Sequence, residues 1–537
     1  MDPTEVTSEQ IGAWLTRKIA QLLRCPAEEV DVEMPFAMLG LDSLTTLTLT
    51  GDLAEWLGRD LSASLFLEHP TVTSLAQHLV ADGDSEESRP IPKAPRGQPL
   101  PVTLSQFRIL SHSQMGPEGD TNVIRRRYEL KGPLNVEVLQ RAFGELACRH
   151  EILRTTFTFQ NGEAMQIIHP PGPVAVELTD LTAHADPEAK AIEIATTEVA
   201  NIRMDLQKGP LLRVLLLKMG TDHHRLVVPM HHMLCDAETL PIFWEDLEVI
   251  YSAFLRGEPS PLTELPLQAA DVGAWQRQWL RKDGQPYQNK MAQWMQHWEG
   301  HAISPLELPF RRKEPPLVRP DASECQQKAE LSPILMEQIR ELAHSEGATS
   351  YMVFLAAFAA ALQRCTGQQD LVIGTYVSER TRSLTRRLTG VFVNLLPIRM
   401  RFEGVHTFRQ ALRRMRDAVA QATRCQELPL EDLLQNLSAA GKPMPEIRVI
   451  FQMVPWQRIL PKLQGVETTR WETGPLRMLW GFSMTVDNSS AQAHFDGGLY
   501  DPLGSLSLLR DYKELLLQIV NQPDVIIRDE ARNPVAV

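Results

Sequence analysis

The chain has 537 residues, too many for one hydrophobic core, so two to four domains are expected. Its hydrophobic content of 43% suits packed globular domains, and 54 Lys+Arg against 67 Asp+Glu give a formal net charge of -13 with no long basic run. That balance excludes nucleic acid and anionic membrane surfaces as partners. Met1-Asp2-Pro3-Thr4-Glu5-Val6 has neither a basic leader nor an apolar signal core, and no later segment has the apolar length of a membrane span. Cys25, Cys148, Cys235, Cys325, Cys365 and Cys425 are scattered without paired metal-ligand spacing. Together these features predict a soluble, cytoplasmic protein with reduced thiols and no metal.

From the N-terminus, Ile11, Leu15, Ile19, Leu22 and Leu23 recur at helical spacing behind a capping Ser8, which predicts an amphipathic helix over 7–23. A loop with Pro26 and Pro35 follows, then helices over 43–57 and, after Pro70, to about residue 80. These make a small all-α, four-helix bundle over 1–83, large enough to fold alone. Residues 84–99 are charged at first and then proline-rich, a semi-extended linker.

Beyond the linker, strands at 128–130, 211–219 and 226–230 alternate with helices at 136–148 and 189–203, the pattern of an α/β domain. A polar, proline-bearing stretch between Leu306 and Pro320 precedes a second α/β pattern: helices at 333–345 and 350–365, then strands at 370–375 and 391–400. Residues 100–537 therefore divide into an N-lobe of about 100–275 and a C-lobe of about 276–537, and their similar make-up suits an old duplication.

In Gly40-Leu41-Asp42-Ser43-Leu44 a serine stands where loop turns into helix, its hydroxyl exposed beside an acidic neighbour. A plain helix cap would explain it. The context, an acidic helical bundle with a flexible linker leading to a larger domain, instead makes residues 5–83 resemble an acyl or peptidyl carrier domain. The resemblance implies covalent 4′-phosphopantetheine on Ser43, attached by a phosphopantetheinyl transferase. The Leu-Asp-Ser-Leu form and Gly51-Asp52-Leu53-Ala54-Glu55-Trp56 look more like polyketide or fatty-acyl carriers than aminoacyl carriers.

Met230-His231-His232-Met233-Leu234-Cys235-Asp236-Ala237 closes the apolar run 226–230. Successive strand side chains face opposite ways, so only one of the two histidines can face a given cavity. Three readings are open on the residues alone: a metal site, which lacks a third ligand at helical spacing; plain core histidines; or a general base and transition-state stabiliser.

Around that run stand, in order, Leu104-Ser105-Gln106-Phe107-Arg108, Arg149-His150-Glu151-Ile152-Leu153-Arg154, Asp271-Val272-Gly273-Ala274-Trp275-Gln276, Val372-Ile373-Gly374-Thr375-Tyr376-Val377-Ser378-Glu379-Arg380, Gly390-Val391-Phe392-Val393-Asn394 and Gln426-Glu427-Leu428-Pro429. The set resembles the condensation domains of nonribosomal peptide synthetases or hybrid polyketide/peptide synthetases over nearly all of 100–537. The resemblance implies two chloramphenicol-acetyltransferase-like lobes in a V, with a tunnel entered by a donor carrier on one face and an acceptor on the other. It makes His232 the catalytic residue of the HHxxxDG pattern, His231 a packing and hydrogen-bonding residue, and Asp236 with Arg380 a structural pair that positions the histidine loop. Ala237 departs from the usual glycine, Cys425 from a common histidine, and Ser483 from a common aspartate, which blurs the subtype.

The implied reaction is condensation of a Ser43-tethered acyl donor, loaded by an upstream enzyme or synthase, with an amine acceptor, usually an aminoacyl thioester on a downstream carrier. Ester-forming or chain-releasing transfer to a free alcohol or amine is the alternative within enzymes. A non-catalytic recruitment platform is the alternative outside them.

Overall fold

The computed structural model describes residues 6–23, 25–36, 38–39, 41, 43–58, 61, 65–81, 91–115, 122–199, 202–298, 303–314, 325–380, 382–454, 460–471 and 481–527. The first domain is built from α1 (Ser8–Leu23), α2 (Ser43–Leu57), the short α3 (Leu65–Glu68) and α4 (Val72–Ala81). Ile11, Leu15 and Ile19 of α1 meet Leu49, Leu53 and Leu57 of α2 and Leu75 and Leu79 of α4 in one buried core. Three- and four-residue spacing puts each set on a single helix face, which is why these stripes fold together. Leu22, expected in that stripe, lies in the last turn of α1 and is 44% exposed. Trp14 stacks on Trp56 at 5.4 Å between ring centres, with Lys18 over the Trp14 ring and paired to Asp52 at 2.9 Å.

Part of the expected linker is not free. Residues 82–90 lie outside the described residues, but Ile91 is buried in the core of the next domain. Ala94 N–H donates to Asp271 Oδ1 at 2.7 Å, and Arg96 spans both Asp271 oxygens (2.8 and 3.1 Å) and Glu151 (2.9 Å).

The N-lobe runs β1 (Leu100–Pro101), α5 (Leu104–Met115), β2 (Val123–Lys131), α6 (Val136–Arg149), β3 (Thr155–Gln160), β4 (Glu163–Ile168), β5 (Val176–Asp180), α7 (Pro187–Glu193), β6 (Val214–Gly220), β7 (His223–His231), α8 (Thr239–Leu255) and α9 (Ala269–Trp279). The C-lobe runs α10 (Gln285–His297), β8 (Gln326–Glu330), α11 (Pro333–Ser345), α12 (Ser350–Thr366), β9 (Asp370–Ser378), β10 (Val393–Arg401), α13 (Phe408–Thr423), α14 (Leu430–Ala439), β11 (Val449–Met453), β12 (Glu467–Arg470), β13 (Phe482–Val486), β14 (Ser490–Phe495) and α15 (Pro502–Ile519). One sheet has the order β12-β2-β7-β6-β5, a second β10-β9-β11-β13-β14-β8, and a small third β1-β4-β3.

The lobes are not separate in sequence. β12 pairs antiparallel with β2, Thr468 opposite Leu130, and Leu388, Phe392, Leu463 and Val466 are buried in the N-lobe core. Two segments of the expected C-lobe thus cross back and close the seam. In the C-lobe, α12 is buried on every side from Met352 to Gln363, as a helix apolar all round must be. No single helix among the described residues is long and apolar enough to cross a membrane; α11 and α12 meet that test only as a pair bent by 99°.

Candidate active site

Strand β7 delivers the two histidines by simple alternation. His231, its last residue, is 1% exposed, and its Nδ1 accepts the Met233 N–H at 3.1 Å. Burial, reinforced by the neighbouring His232, pushes its pKa down to about 3, so it is a neutral packing residue at any working pH.

His232 begins the turn beyond the strand, its N–H fixed on the Asn122 carbonyl at 2.6 Å. The residue is deeply enclosed yet keeps some accessible surface, so open space adjoins it. Its Nδ1 is buried without a well-formed hydrogen bond, which leaves Nε2 as the ring atom open to that space. Burial lowers its pKa; its own backbone carbonyl and Asp236 act against the shift, while Arg108 and Arg126 add to it. The ring is a neutral imidazole with a free lone pair, the form a base needs.

Asp236 does not spend an oxygen on either histidine. Arg380 Nη1 reaches Oδ2 at 2.7 Å and Nη2 reaches Oδ1 at 3.0 Å, while the backbone N–H groups of Phe392 (2.9 Å) and Thr239 (2.8 Å) complete the carboxylate. Both partners are 2% exposed. Burial pushes the Asp236 pKa upward, but the Arg380 charge and these hydrogen bonds outweigh it and leave a net downward shift. Arg380 is itself held by Leu388 O, Gly390 O and Thr239 Oγ1 and lies 4.7 Å over the Phe392 ring. The ion pair therefore bolts the histidine loop of the N-lobe to residues 380–392. A second tie lies alongside: Asp246 takes Arg149 (2.8 Å), His150 (2.9 Å) and Arg387 (2.7 Å), and His150 Nδ1 meets Thr389 Oγ1 at 3.0 Å.

Three charged residues at the site were not singled out from sequence. Arg108, on α5, has a buried Nη1 without a partner and lies 5.5 Å over the Tyr376 ring. Arg126, on β2, has a buried, unpartnered Nε. Its neighbours Arg125 and Arg127 bond Val199 O and Ala195 O on the opposite side of the sheet, so strand alternation in the Arg125-Arg126-Arg127 run was a usable signal. Glu379, enclosed yet part-accessible, accepts from Ser105 Oγ at 2.9 Å and Gln276 Nε2 at 3.4 Å. Burial raises its pKa to about 7 against the pull of those donors and Arg108.

Of the departures noted in sequence, Ala237 is not strained: the one non-glycine residue with positive φ among the described residues is Asn161. Cys425 is buried with its Sγ 3.6 Å from Lys290 O, and Ser483 keeps a buried, unpartnered hydroxyl. Ser43 is the first residue of α2, while its side chain and Gly40 and Asp42 lie outside what is described.

Residues 97–531 match the condensation domain family, and residues 13–79 match the phosphopantetheine attachment site. The chain is 34% identical to one of the linear gramicidin synthase proteins from Brevibacillus parabrevis over 522 residues, covering 94% of the chain and 7% of that protein. It is 30% identical to another protein of the same synthase over 509 residues, 93% of the chain and 10% of that protein. Surfactin synthase subunit 1 from Bacillus subtilis is 31% identical over 406 residues, 75% of the chain and 11% of that protein. The chain thus spans about a tenth or less of these relatives. Among solved structures, the X-domain from teicoplanin biosynthesis superposes with a TM-score of 0.69 at 23% identity, covering 82% of this chain and 99% of that one. The condensation domain of the monacolin K polyketide synthase MokA gives 0.66 at 21%, covering 80% and 99%.

Proposed function

Because the chain belongs to the condensation domain family, behind a phosphopantetheine-attachment domain, we propose that it transfers an acyl group held on Ser43 to an amine acceptor, forming an amide in natural-product biosynthesis. The 4′-phosphopantetheine arm supplies a flexible thiol that carries the acyl group as a thioester. Ser43 suits it, standing at the start of α2 where unpaired backbone N–H groups favour a phosphate.

The observation that carries the reading is the state of His232: enclosed, neutral and bolted in place through Asp236 and Arg380. As the amine nitrogen bonds the acyl carbon, Nε2 takes the proton that nitrogen must lose, and as the carbon–sulfur bond breaks that proton passes to the departing sulfur and leaves the imidazole neutral again. Arg108, near enough for its charge to act on His232 and with a buried N–H that has no partner, would supply a donor for negative charge developing on the acyl oxygen. Asp236 and Arg380 position; they carry no proton. The acceptor is an aminoacyl thioester on a second carrier, and a phosphopantetheinyl transferase and an acyl-loading enzyme are the further partners.

The test loads Ser43 with simple acyl-pantetheine groups and offers aminoacyl carriers, free amines and free alcohols, with His232→Ala alongside and mass spectrometry as readout. A new amide that depends on His232 is expected. An ester would move the reading to the alcohol-using alternative, and acyl loss unaffected by His232→Ala would refute it.

A further inference from the structure

Amide formation needs one more proton acceptor than His232 supplies. An α-amino group titrates at about 8, so an aminoacyl acceptor arrives at neutral pH as an ammonium ion, and its nitrogen gives up two protons on becoming an amide. His232 has one ring nitrogen, Nε2, left to take a proton. The first proton must go elsewhere, and it must go before the nitrogen can attack.

Glu379, the residue after β9, has the geometry to take it. Among the described residues its two side-chain donors, Ser105 Oγ at 2.9 Å and Gln276 Nε2 at 3.4 Å, both go to Oε2, and Oε1 receives none. The residue keeps accessible surface, so Oε1 is the oxygen left to a ligand. Arg108 acts on the carboxyl without bonding it: its Nη2 is on Val393 O at 3.4 Å and its Nη1 is unpaired. The one carboxylate that acts on it, Glu427, is itself taken by Lys290 at 2.5 Å. A neutral amide would accept the same two donors without the cost of burying a charge, so the fold alone does not call for a carboxyl at this position.

Two routes tie Glu379 to the histidine loop. Helix α5 carries both Ser105 and Gln106, whose Nε2 donates at 3.3 Å to the carbonyl of Met233, the residue after His232. Arg108 of the same helix acts on His232 and on Glu379 alike. By the second route, Glu379 N–H donates to Phe392 O at 2.7 Å, and Phe392 N–H donates to Asp236 Oδ2 at 2.9 Å. Burial raises Glu379 to about 7, near enough to an α-ammonium for a proton to pass readily between them.

From these contacts we propose that Glu379 binds the acceptor: Oε1 receives the ammonium of the incoming aminoacyl thioester and takes one of its protons, so that a neutral amine meets the acyl carbon. The carboxylate becomes a carboxylic acid as the ammonium becomes an amine; His232 handles the second proton, and Glu379 returns the first to solvent. This rests on the reading that the chain forms amides. It adds the reason for that choice, since an alcohol brings no positive charge for Glu379 to pair.

The experiment uses the full chain with an acyl group on Ser43 and offers aminoacyl-pantetheines of the common amino acids, together with the aminooxy counterpart of the one used fastest. The oxygen beside its nitrogen keeps that counterpart neutral at pH 7. Glu379→Gln, which keeps the contacts of Oε2, is expected to lower kcat/KM for the aminoacyl acceptor at least tenfold relative to the aminooxy one at pH 7. The deficit against the parent is expected to close by about pH 9, where the acceptor arrives as a free amine without help. An equal loss with both acceptors would make Glu379 structural and overturn the proposal, as would no loss, or a selective loss unchanged at the higher pH. Where the unaltered chain refuses the aminooxy acceptor, the pH dependence of the loss decides. Absence of any amide from the unaltered chain would instead sink the functional reading beneath it.

Discussion

Replacing Asp236 with asparagine tests what holds His232 in place. The substitution keeps shape but removes the charge that directly compensates Arg380, leaving a guanidinium at 2% exposure with neutral acceptors and only the more distant Glu238 carboxylate at 3.6 Å. It also puts an NH2 group where one oxygen now takes two N–H donors, since Oδ2 receives Arg380 Nη1 and Phe392 N–H while Oδ1 receives Nη2 and Thr239 N–H. Breaking a buried pair by removing one partner costs about 3–5 kcal/mol, a large share of the roughly 5–15 kcal/mol that stabilises a domain. The pH dependence follows from the direction of the shift. Asp236 has its folded pKa below the ordinary value, so its contribution is present above the unfolded pKa of about 4 and is lost as pH falls through the lower folded value. Denaturant unfolding at pH 7 should show the full deficit in Asp236→Asn, and the deficit should shrink only at strongly acid pH. Amide formation should fall with it, since residues 232–236 lose their anchor to 380–392. An Asp236→Asn protein as stable as the parent at pH 7, yet inactive with a shifted pH–rate profile, would refute this argument and make Asp236 a proton partner of His232.

His232 has a pKa lowered by burial and by Arg108 and Arg126, so the rate should stay flat through pH 7 and fall only below the ordinary histidine value. Arg126→Met should move that acid limb upward, as measured by pH–rate profiles with free acyl-pantetheine; a limb that stays put would exclude Arg126 from the field at the ring. Glu379, with a folded pKa of about 7, favours folding while protonated and loses that advantage as pH rises from about 4.5 to 7. Glu379→Gln should therefore match the parent near pH 4 and exceed it by up to about 3 kcal/mol near pH 8, and a stability difference independent of pH would contradict the raised value. Ser43→Ala should keep the far-ultraviolet circular dichroism and thermal midpoint of the parent while gaining no mass from a phosphopantetheinyl transferase; a mass gain would place the attachment elsewhere.

What could be read in the sequence was local. The stripes of α1 and α4, the strand that ends at His231, and the helices of 333–345 and 350–365 announce themselves through spacing alone, because a helix or strand face is set by residues three, four or two apart. The alternation that separates His231 from His232 is local in the same way, and it places one imidazole in packing and leaves the other with some accessible surface. Arg380 and Asp236 are 144 residues apart, and no periodicity links them; only the resemblance to a known family paired them.

The charged residues around the site were not read from the sequence. Arg126 sits in a run of three arginines that looks like a solvated edge, and the alternation of β2, fixed by its pairing with β7, turns it to the side away from Arg125 and Arg127. Glu379 is read as the neighbour of Arg380, yet its environment comes from Ser105 and Gln276, which belong to two different helices. Proline content marked 84–99 as a linker, but Ile91 and Arg96 find an apolar core and a buried Asp271 in the folded domain. In each case composition described the segment in isolation, and residues distant in sequence supplied the partners. The seam is consequently where the chemistry is concentrated. It joins Asp236 to Arg380, Asp246 to Arg387 and Ser105 to Glu379, so the positions of the histidine loop and of the Glu379 carboxyl both depend on how the two lobes meet.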